Sequence, residues 1–301
     1  MKCGFVSFIG RPNAGKSTLL NRLVGEKLAI VSDKPQTTRN RILGVRNYPD
    51  KDAQVIYLDT PGIHRPLHRM NVRMVDAARD TIREVDIVGL VVDVTEKFGR
   101  GDRYVYDLVK DIDKPVFLIL NKIDLVKKTR LLPIIEEFAK NGTFAEIIPV
   151  SADTGLNVDR LEDTIIKTLP EGPALYPEDY LTDQPERFMA SEIVREKVLQ
   201  FTHAEIPFSS AVVVDRFEEP EGPKGILRLY CTVVVERESQ KPIVVGRHGD
   251  MIKKIGTAAR EELEKFFSTK VYLDLHVRVK GDWRDDDRQL GAMGVGRPDG
   301  T

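Results

Sequence analysis

Eight residues near the start of the chain, Gly10-Arg11-Pro12-Asn13-Ala14-Gly15-Lys16-Ser17, follow the spacing G-x-x-x-x-G-K-S. Glycines at those positions let backbone N–H groups converge on phosphate oxygens, and a helix starting beyond them adds the positive end of its dipole. Lys16 brings a point charge to the β- and γ-phosphates of a nucleotide, and the Ser17 hydroxyl suits a Mg²⁺ ligand. Further along, Asp59-Thr60-Pro61-Gly62 offers a carboxylate that can hold the same Mg²⁺ through water, and an N–H for the γ-phosphate. Between the two, Gln36-Thr37-Thr38-Arg39 presents Thr38 as a Mg²⁺ ligand that orders its segment when a γ-phosphate is present. Thr37 is the alternative.

Asn121-Lys122-Ile123-Asp124 selects the base. The Asp124 carboxylate can accept from the ring N–H and the exocyclic amine of guanine. Adenine offers no such donor pair and would leave the carboxylate unpaired, at a cost of about 1–3 kcal/mol. Ser151-Ala152-Asp153 can add a backbone N–H for the guanine carbonyl. The ligands expected are therefore GTP and GDP with Mg²⁺, and the reaction is hydrolysis to GDP and phosphate. Lys16, Thr38 and Gly62 would carry the chemistry. Ile63 stands where Ras-like switches place a glutamine that orients the attacking water, so intrinsic turnover should be slow, with backbone groups, an ion or a partner positioning the water. Two rivals use the same loop: a small-molecule kinase, which leaves Asn121–Asp124 unexplained, and an RNA-binding scaffold that holds nucleotide without turnover.

These residues need strand ends to position them. Short apolar strands are expected at Phe5–Ile9, Val55–Leu58, Ile87–Val92, Val116–Leu120 and Ile147–Val150, with helical periodicity between them, as in Val75, Ala78, Ile82 and Val85. That alternation predicts a mostly parallel sheet with helices on both faces and ligands at the carboxyl ends of its strands. His64 and His68 fall in a segment bounded by glycine and proline, and read as mobile loop residues.

Three prolines and a glycine in residues 170–177 mark a semi-rigid connector. The expected division is a nucleotide domain at 1–170, a linker at 171–186, an α+β domain at 187–284 and a loose tail at 285–301. The second domain reads as helix, two strands, helix, strand. Of three G-x-x-G tetrads, at Gly222–Gly225, Gly246–Gly249 and Gly291–Gly294, the middle one is expected between an apolar strand (Ile243–Val245) and an amphipathic helix from Asp250. Lys241, Arg247, Lys253 and Lys254 outnumber Asp250 around it, a local basic excess suited to a single-stranded nucleic-acid backbone.

With 301 residues, 31% charged residues and a formal net charge of −1, bulk charge does not make the chain a nucleic-acid-coating protein. Two distant cysteines, Cys3 and Cys231, suit a reducing cytoplasm and give no disulfide framework. No apolar run is long enough to span a bilayer.

Together these segments resemble the Era family of bacterial ribosome-assembly GTPases, over nearly the whole chain. The resemblance rests on Gly10–Ser17, Gln36–Arg39, Asp59–Gly62, Asn121–Asp124 and Ser151–Asp153. It extends to Arg187-Phe188-Met189-Ala190-Ser191-Glu192-Ile193, Val245-Gly246-Arg247-His248-Gly249 and Lys280-Gly281-Asp282-Trp283. It implies a P-loop GTPase domain followed by a type II KH domain, with Gly246, Arg247, His248, Gly249, Lys253 and Lys254 at the RNA. It implies as target the 3′ end of 16S ribosomal RNA during maturation of the small ribosomal subunit. Asn13 becomes a candidate K⁺ ligand beside the phosphates. The expected working form is a cytoplasmic monomer, with room for peripheral association at the inner membrane.

Overall fold

The computed structural model describes residues 1–34, 36–64, 68–141, 144–222 and 225–295. The first unit runs β1 (Lys2–Gly10), α1 (Lys16–Val24), β2 (Ile42–Tyr48), β3 (Ala53–Asp59), α2 (Arg69–Glu84), β4 (Ile87–Asp93), α3 (Arg100–Asp107), β5 (Val116–Asn121), α4 (Lys128–Asn141), β6 (Glu146–Pro149) and α5 (Val158–Thr168). Its six strands lie in the order β2-β3-β1-β4-β5-β6. Only β2 is antiparallel to its neighbour.

Strand periodicity explains why the sheet is covered on both faces. Val55 and Tyr57 of β3 and Phe117 and Ile119 of β5 join the cluster under α1 and α5. The residues between them, Ile56, Leu58, Leu118 and Leu120, join the opposite cluster under α2 and α3. Each strand is buried on both sides, hence its unbroken apolar run. The chain winds one way from β1 to β3 and the other way to β6, so the carboxyl ends of the central strands face a common crevice.

The second unit runs α6 (Glu186–Phe201), α7 (Ile206–Ser209), β7 (Ala211–Glu218), β8 (Ile226–Val235), α8 (Lys241–Val245), α9 (Asp250–Phe266), β9 (Lys270–Val279) and α10 (Asp287–Ala292). The sheet order is β7-β8-β9, with β8 and β9 parallel. Leu227, Leu229, Cys231, Val233 and Val235 turn one face of β8 onto Ile193, Val194 and Val198 of α6 and Ile255, Ala259 and Leu263 of α9.

Four expectations are corrected. The sequence reading missed β2, an edge strand interrupted by Gly44 and polar beyond Val45. Residues Ile243–Val245 are helical and belong to α8: Pro242 sits in its first turn, where a missing N–H costs nothing, and Gly246 closes it. The tail is not loose as far as residue 295. Leu290 and Val295 are buried with Trp283 against Met70 and Met74 of α2; residues 296–301 lie outside the described residues. His68 caps α2 and pairs with Asp285, and His64 bonds to Gln36 and Asn71, so both histidines are held.

The connector is also tied down. Gln54, fully buried in β3, accepts from the Leu175 and Tyr176 N–H groups and donates to the Tyr176 carbonyl. The Val45 N–H donates to the Leu181 carbonyl, and the Thr182 hydroxyl to the Leu43 carbonyl, so the connector covers the β2 edge. Replacing Gln54→Leu removes the acceptor of the Leu175 and Tyr176 N–H groups and the donor to the Tyr176 carbonyl. The expected loss is about 1–3 kcal/mol in urea unfolding, with faster amide exchange confined to residues 175–182. Unchanged exchange there would show that Gln54 does not hold the connector.

Candidate functional site

The turn from Gly10 to Ser17 joins β1 to α1 at the crevice. Gly15 has φ 93° and lies against Asn121; an added Cβ would sit 2.1 Å from the Asn121 amide nitrogen, so only glycine fits. Asn121, at the end of β5, donates to the Ala14 carbonyl (2.8 Å) and accepts from the Ala152 N–H (2.9 Å). One side chain thus clamps the phosphate loop to the Ser151–Asp153 loop. This sharpens the sequence reading: Ala152 spends its N–H on Asn121, and Ser151 donates its own to the Leu156 carbonyl. Asp124 stands exposed in the turn after β5, open to a base, while Lys122 pairs with Asp93 at 2.5 Å.

A cavity of 510 Å³ is lined by Arg11 to Thr18, Ile30 to Asp33, Gln36 to Thr38 and Gly62, among others. Arg11 pairs with Glu96 and Asp102 at 3.0 Å, and all three line the cavity. Asn13, at φ 65°, donates to the Asp33 carbonyl (2.6 Å), which leaves its Oδ1 as the group able to accept a cation. Gly62 packs against Pro12, and the Ile63 N–H donates to the Gly10 carbonyl (3.0 Å), so the Asp59–Ile63 segment closes directly over the phosphate loop. Thr60 points inward and donates to the Phe8 carbonyl.

Ser17, Thr38 and Asp59 converge. Ser17 Oγ lies 2.7 Å from Thr38 Oγ1 and 2.6 Å from Asp59 Oδ2, and Thr38 Oγ1 lies 3.1 Å from the same carboxylate oxygen. Adjacent ligands of an octahedral Mg²⁺ with bonds near 2.1 Å stand about 3.0 Å apart. The three hard oxygens therefore approximate one face of such a shell, and Asp59 Oδ1 is buried without a partner. These residues fit the ion, directly or through water. Thr37 instead donates its hydroxyl to the Lys34 carbonyl (2.6 Å), and Thr38 is the threonine that stands with Ser17 and Asp59.

Burial pushes the Lys16 ammonium down to about 8, with Asp59 opposing the shift, while burial raises the Asp59 carboxyl above its usual range. Lys16 donates to the Gly10 and Arg11 carbonyls, the only acceptors at hand among the described residues.

Sequence reasoning named Arg39 only as the end of a signature and missed both its backbone partners and Arg195. Arg39, 3% exposed, donates to the Ser210 carbonyl (2.7 Å) and to those of Pro207 and Phe208, and lies over the Trp283 ring. Arg195 of α6 donates to the Thr37 carbonyl, and Glu196 accepts from the Val31 N–H (2.9 Å). Backbone targets leave no pattern in sequence, so no signal could have found them. On the second unit, Gly246–Gly249 form the turn between α8 and α9 with Arg247, His248 and Lys253 exposed, and Lys254 stacks its ammonium on Phe201 at 4.3 Å.

Known proteins share this arrangement. Residues 5–122 match a family model described as a 50S ribosome-binding GTPase, and residues 205–284 match one described as a KH domain. The GTPase Era of Geobacter metallireducens is 50% identical over 97% of this chain and 97% of its own. The chain belongs to the Era family of GTPases. The Era of Staphylococcus haemolyticus is 48% identical over 97% of each chain. Among solved structures, Era in complex with MgGDPNP and nucleotides 1506–1542 of 16S ribosomal RNA has a TM-score of 0.94 at 42% identity, over 98% of this chain and 99% of that one. A variant Era of Aquifex aeolicus bound to GDP·AlF4⁻ has a TM-score of 0.93, with the same identity and coverage. Among the described residues no helix is long and apolar enough to cross a membrane.

In an Era GTPase, phosphates arriving beside Lys16 should restore its ordinary basicity. Nucleotide binding is then expected to take up about half a proton at pH 8, more up to pH 10 and almost none at pH 6.5. Affinity should correspondingly weaken as pH rises above 8. Calorimetry in buffers of different ionisation enthalpy reads the uptake, and Lys16→Met should abolish it. Equal uptake in parent and variant would remove Lys16 as its source.

Proposed function

We propose that this chain is a GTP-hydrolysing switch whose second unit binds the 3′ end of 16S ribosomal RNA and assists maturation of the small ribosomal subunit. The observation that carries the coupling is the double attachment of residues 36–39. Thr38 belongs to the metal-binding oxygens on one side, and its neighbours Thr37 and Arg39 bond to α6 and to carbonyls in and just beyond α7 on the other. A ligand that draws Thr38 toward the phosphates strains or stabilises those bonds, which is what a switch requires. The complex of a relative with MgGDPNP and 16S ribosomal RNA supports both ligands.

RNA would meet the turn Gly246–Gly249, where Arg247 and Lys253 are exposed and Gly246, at φ 78°, lets the backbone pass close to Met251. KH domains clamp a single-stranded backbone with such a turn. Asn13 Oδ1 would accept K⁺ beside the phosphates, so turnover should be faster in KCl than in NaCl; equal rates would remove that ion.

The test is fluorescence anisotropy with an RNA of the 16S 3′ end. Arg247→Glu with Lys253→Glu should weaken binding at least tenfold and flatten the salt dependence by about 0.7 per lost phosphate contact. Affinity should differ between GDP and a non-hydrolysable GTP analogue, and Arg39→Ala should shrink that difference. Equal affinity of parent and the double variant would exclude the turn, and equal affinity in both nucleotide states would exclude the switch.

A further inference from the structure

Hydrolysis requires a water aligned with the γ-phosphate, and Ile63 does not supply that alignment. Its side chain is fully buried in the cluster beneath α2, so it neither bonds to water nor faces the cavity. Gln36 does face it, in company with Lys16, Thr38 and Gly62. We propose that the Gln36 side-chain carbonyl is the acceptor that orients the attacking water, taking the place of the glutamine absent at position 63.

A chain of hydrogen bonds fixes which end of that amide is free. Asn71 Oδ1 accepts from the His68 N–H at 3.2 Å, so Asn71 Nδ2 is the group facing His64 Nε2, at 3.1 Å. That ring nitrogen is therefore an acceptor whose one lone pair is shared by two amide donors, with the ring proton on Nδ1, which is buried without a partner. Gln36 must then offer it Nε2, also at 3.1 Å, and Oε1 is left over. Gln36 Oε1 is buried without any partner, and among the described residues lining the cavity it is the only buried side-chain oxygen or nitrogen in that condition. Nearby, Thr37 is committed to the Lys34 carbonyl, Thr38 to Ser17 and Asp59, and Asn13 Nδ2 to the Asp33 carbonyl, while Asn13 Oδ1 is the acceptor assigned above to K⁺. Gln36 also holds φ 63°, a conformation that residues with a Cβ rarely adopt and that is kept where a site over-determines it.

In the step itself the water oxygen forms the new bond to the γ-phosphorus. The bond from that phosphorus to the β–γ bridging oxygen breaks, and its electron pair stays on GDP. One water proton is held toward Gln36 Oε1 during the attack and then passes to a γ-phosphate oxygen, giving inorganic phosphate, while Gln36 remains neutral. His64 acts as a positioning residue through its hold on Nε2.

Single-turnover hydrolysis by the full chain, without RNA, tests this independently of the RNA reading. Gln36→Ala should slow the chemical step by about tenfold or more while GDP and GTP-analogue affinities stay within about twofold. It should also lose the GDP·AlF4⁻ complex, which mimics the transition state. Gln36→Gly relieves the positive φ and still lacks the acceptor, so it should be equally slow. Parent-like hydrolysis in either variant overturns the assignment, as does a rate loss matched by an equal loss of nucleotide affinity.

Discussion

Thr38 and Arg39 are adjacent and face opposite ways, and most of the molecule is arranged around that fact. Thr38 reaches the Asp59 carboxylate at the end of β3, and Arg39 sinks its guanidinium among carbonyls of the second unit. A guanidinium never sheds its proton at neutral pH, although burial and then Arg195 pull Arg39 down to about 9. Its charge must be met where it lies: three backbone carbonyls take its two terminal nitrogens and an indole lies under it, with Nε left without a partner. Hydrogen bonds to a charged donor contribute about 1.5–3 kcal/mol each. The segment cannot leave the second unit without stranding that charge.

A second attachment runs through the end of the chain. Trp283, fully buried, donates to the Ser209 carbonyl and packs with Met70 and Met74 of α2, while Asp285 and Asp287 hold the first turns of that helix. Both segments that follow the phosphate chemistry therefore rest on the same side of the second unit. Lys27 and Lys197, each paired with Glu196 and Glu262, close the interface near α9.

The nucleotide chemistry was legible because phosphate and guanine constrain residue identity at fixed spacing: Gly15 has no substitute against Asn121, and Lys16, Ser17 and Asp59 carry charge or oxygen that nothing else supplies. The parallel sheet was legible from periodicity and the boundary between units from the prolines of residues 170–177, while the KH domain followed only from the resemblance to the Era family. Elements whose state is set by distant contacts were not. The apolar run Ile243–Val245 favours a strand locally, and only Pro242 and Gly246 at its ends, with Val244 in the core, make it helix. The segment after Trp283 is rich in glycine and looks unstructured until Met70 and Met74 appear beside it. Gln36 was visible only as part of a motif; its free carbonyl depends on His64 and Asn71, neither of which signals that role in sequence.

The connector has a consequence for how the two units can part. Among the described residues, every hydrogen bond it makes outside itself before Pro185, from Gln54 through Val45 and Leu43 to the Arg41 carbonyl held by Gln184, belongs to the first unit. The last of these precedes the start of α6 at Glu186 by only two residues, a reach of about 7 Å. Pro185 between them has a ring-fixed φ. Release of the interface therefore produces rotation about a pivot and not drift on a leash. The separated faces keep an effective concentration in the millimolar range or above, so re-docking is a first-order event indifferent to how dilute the protein is.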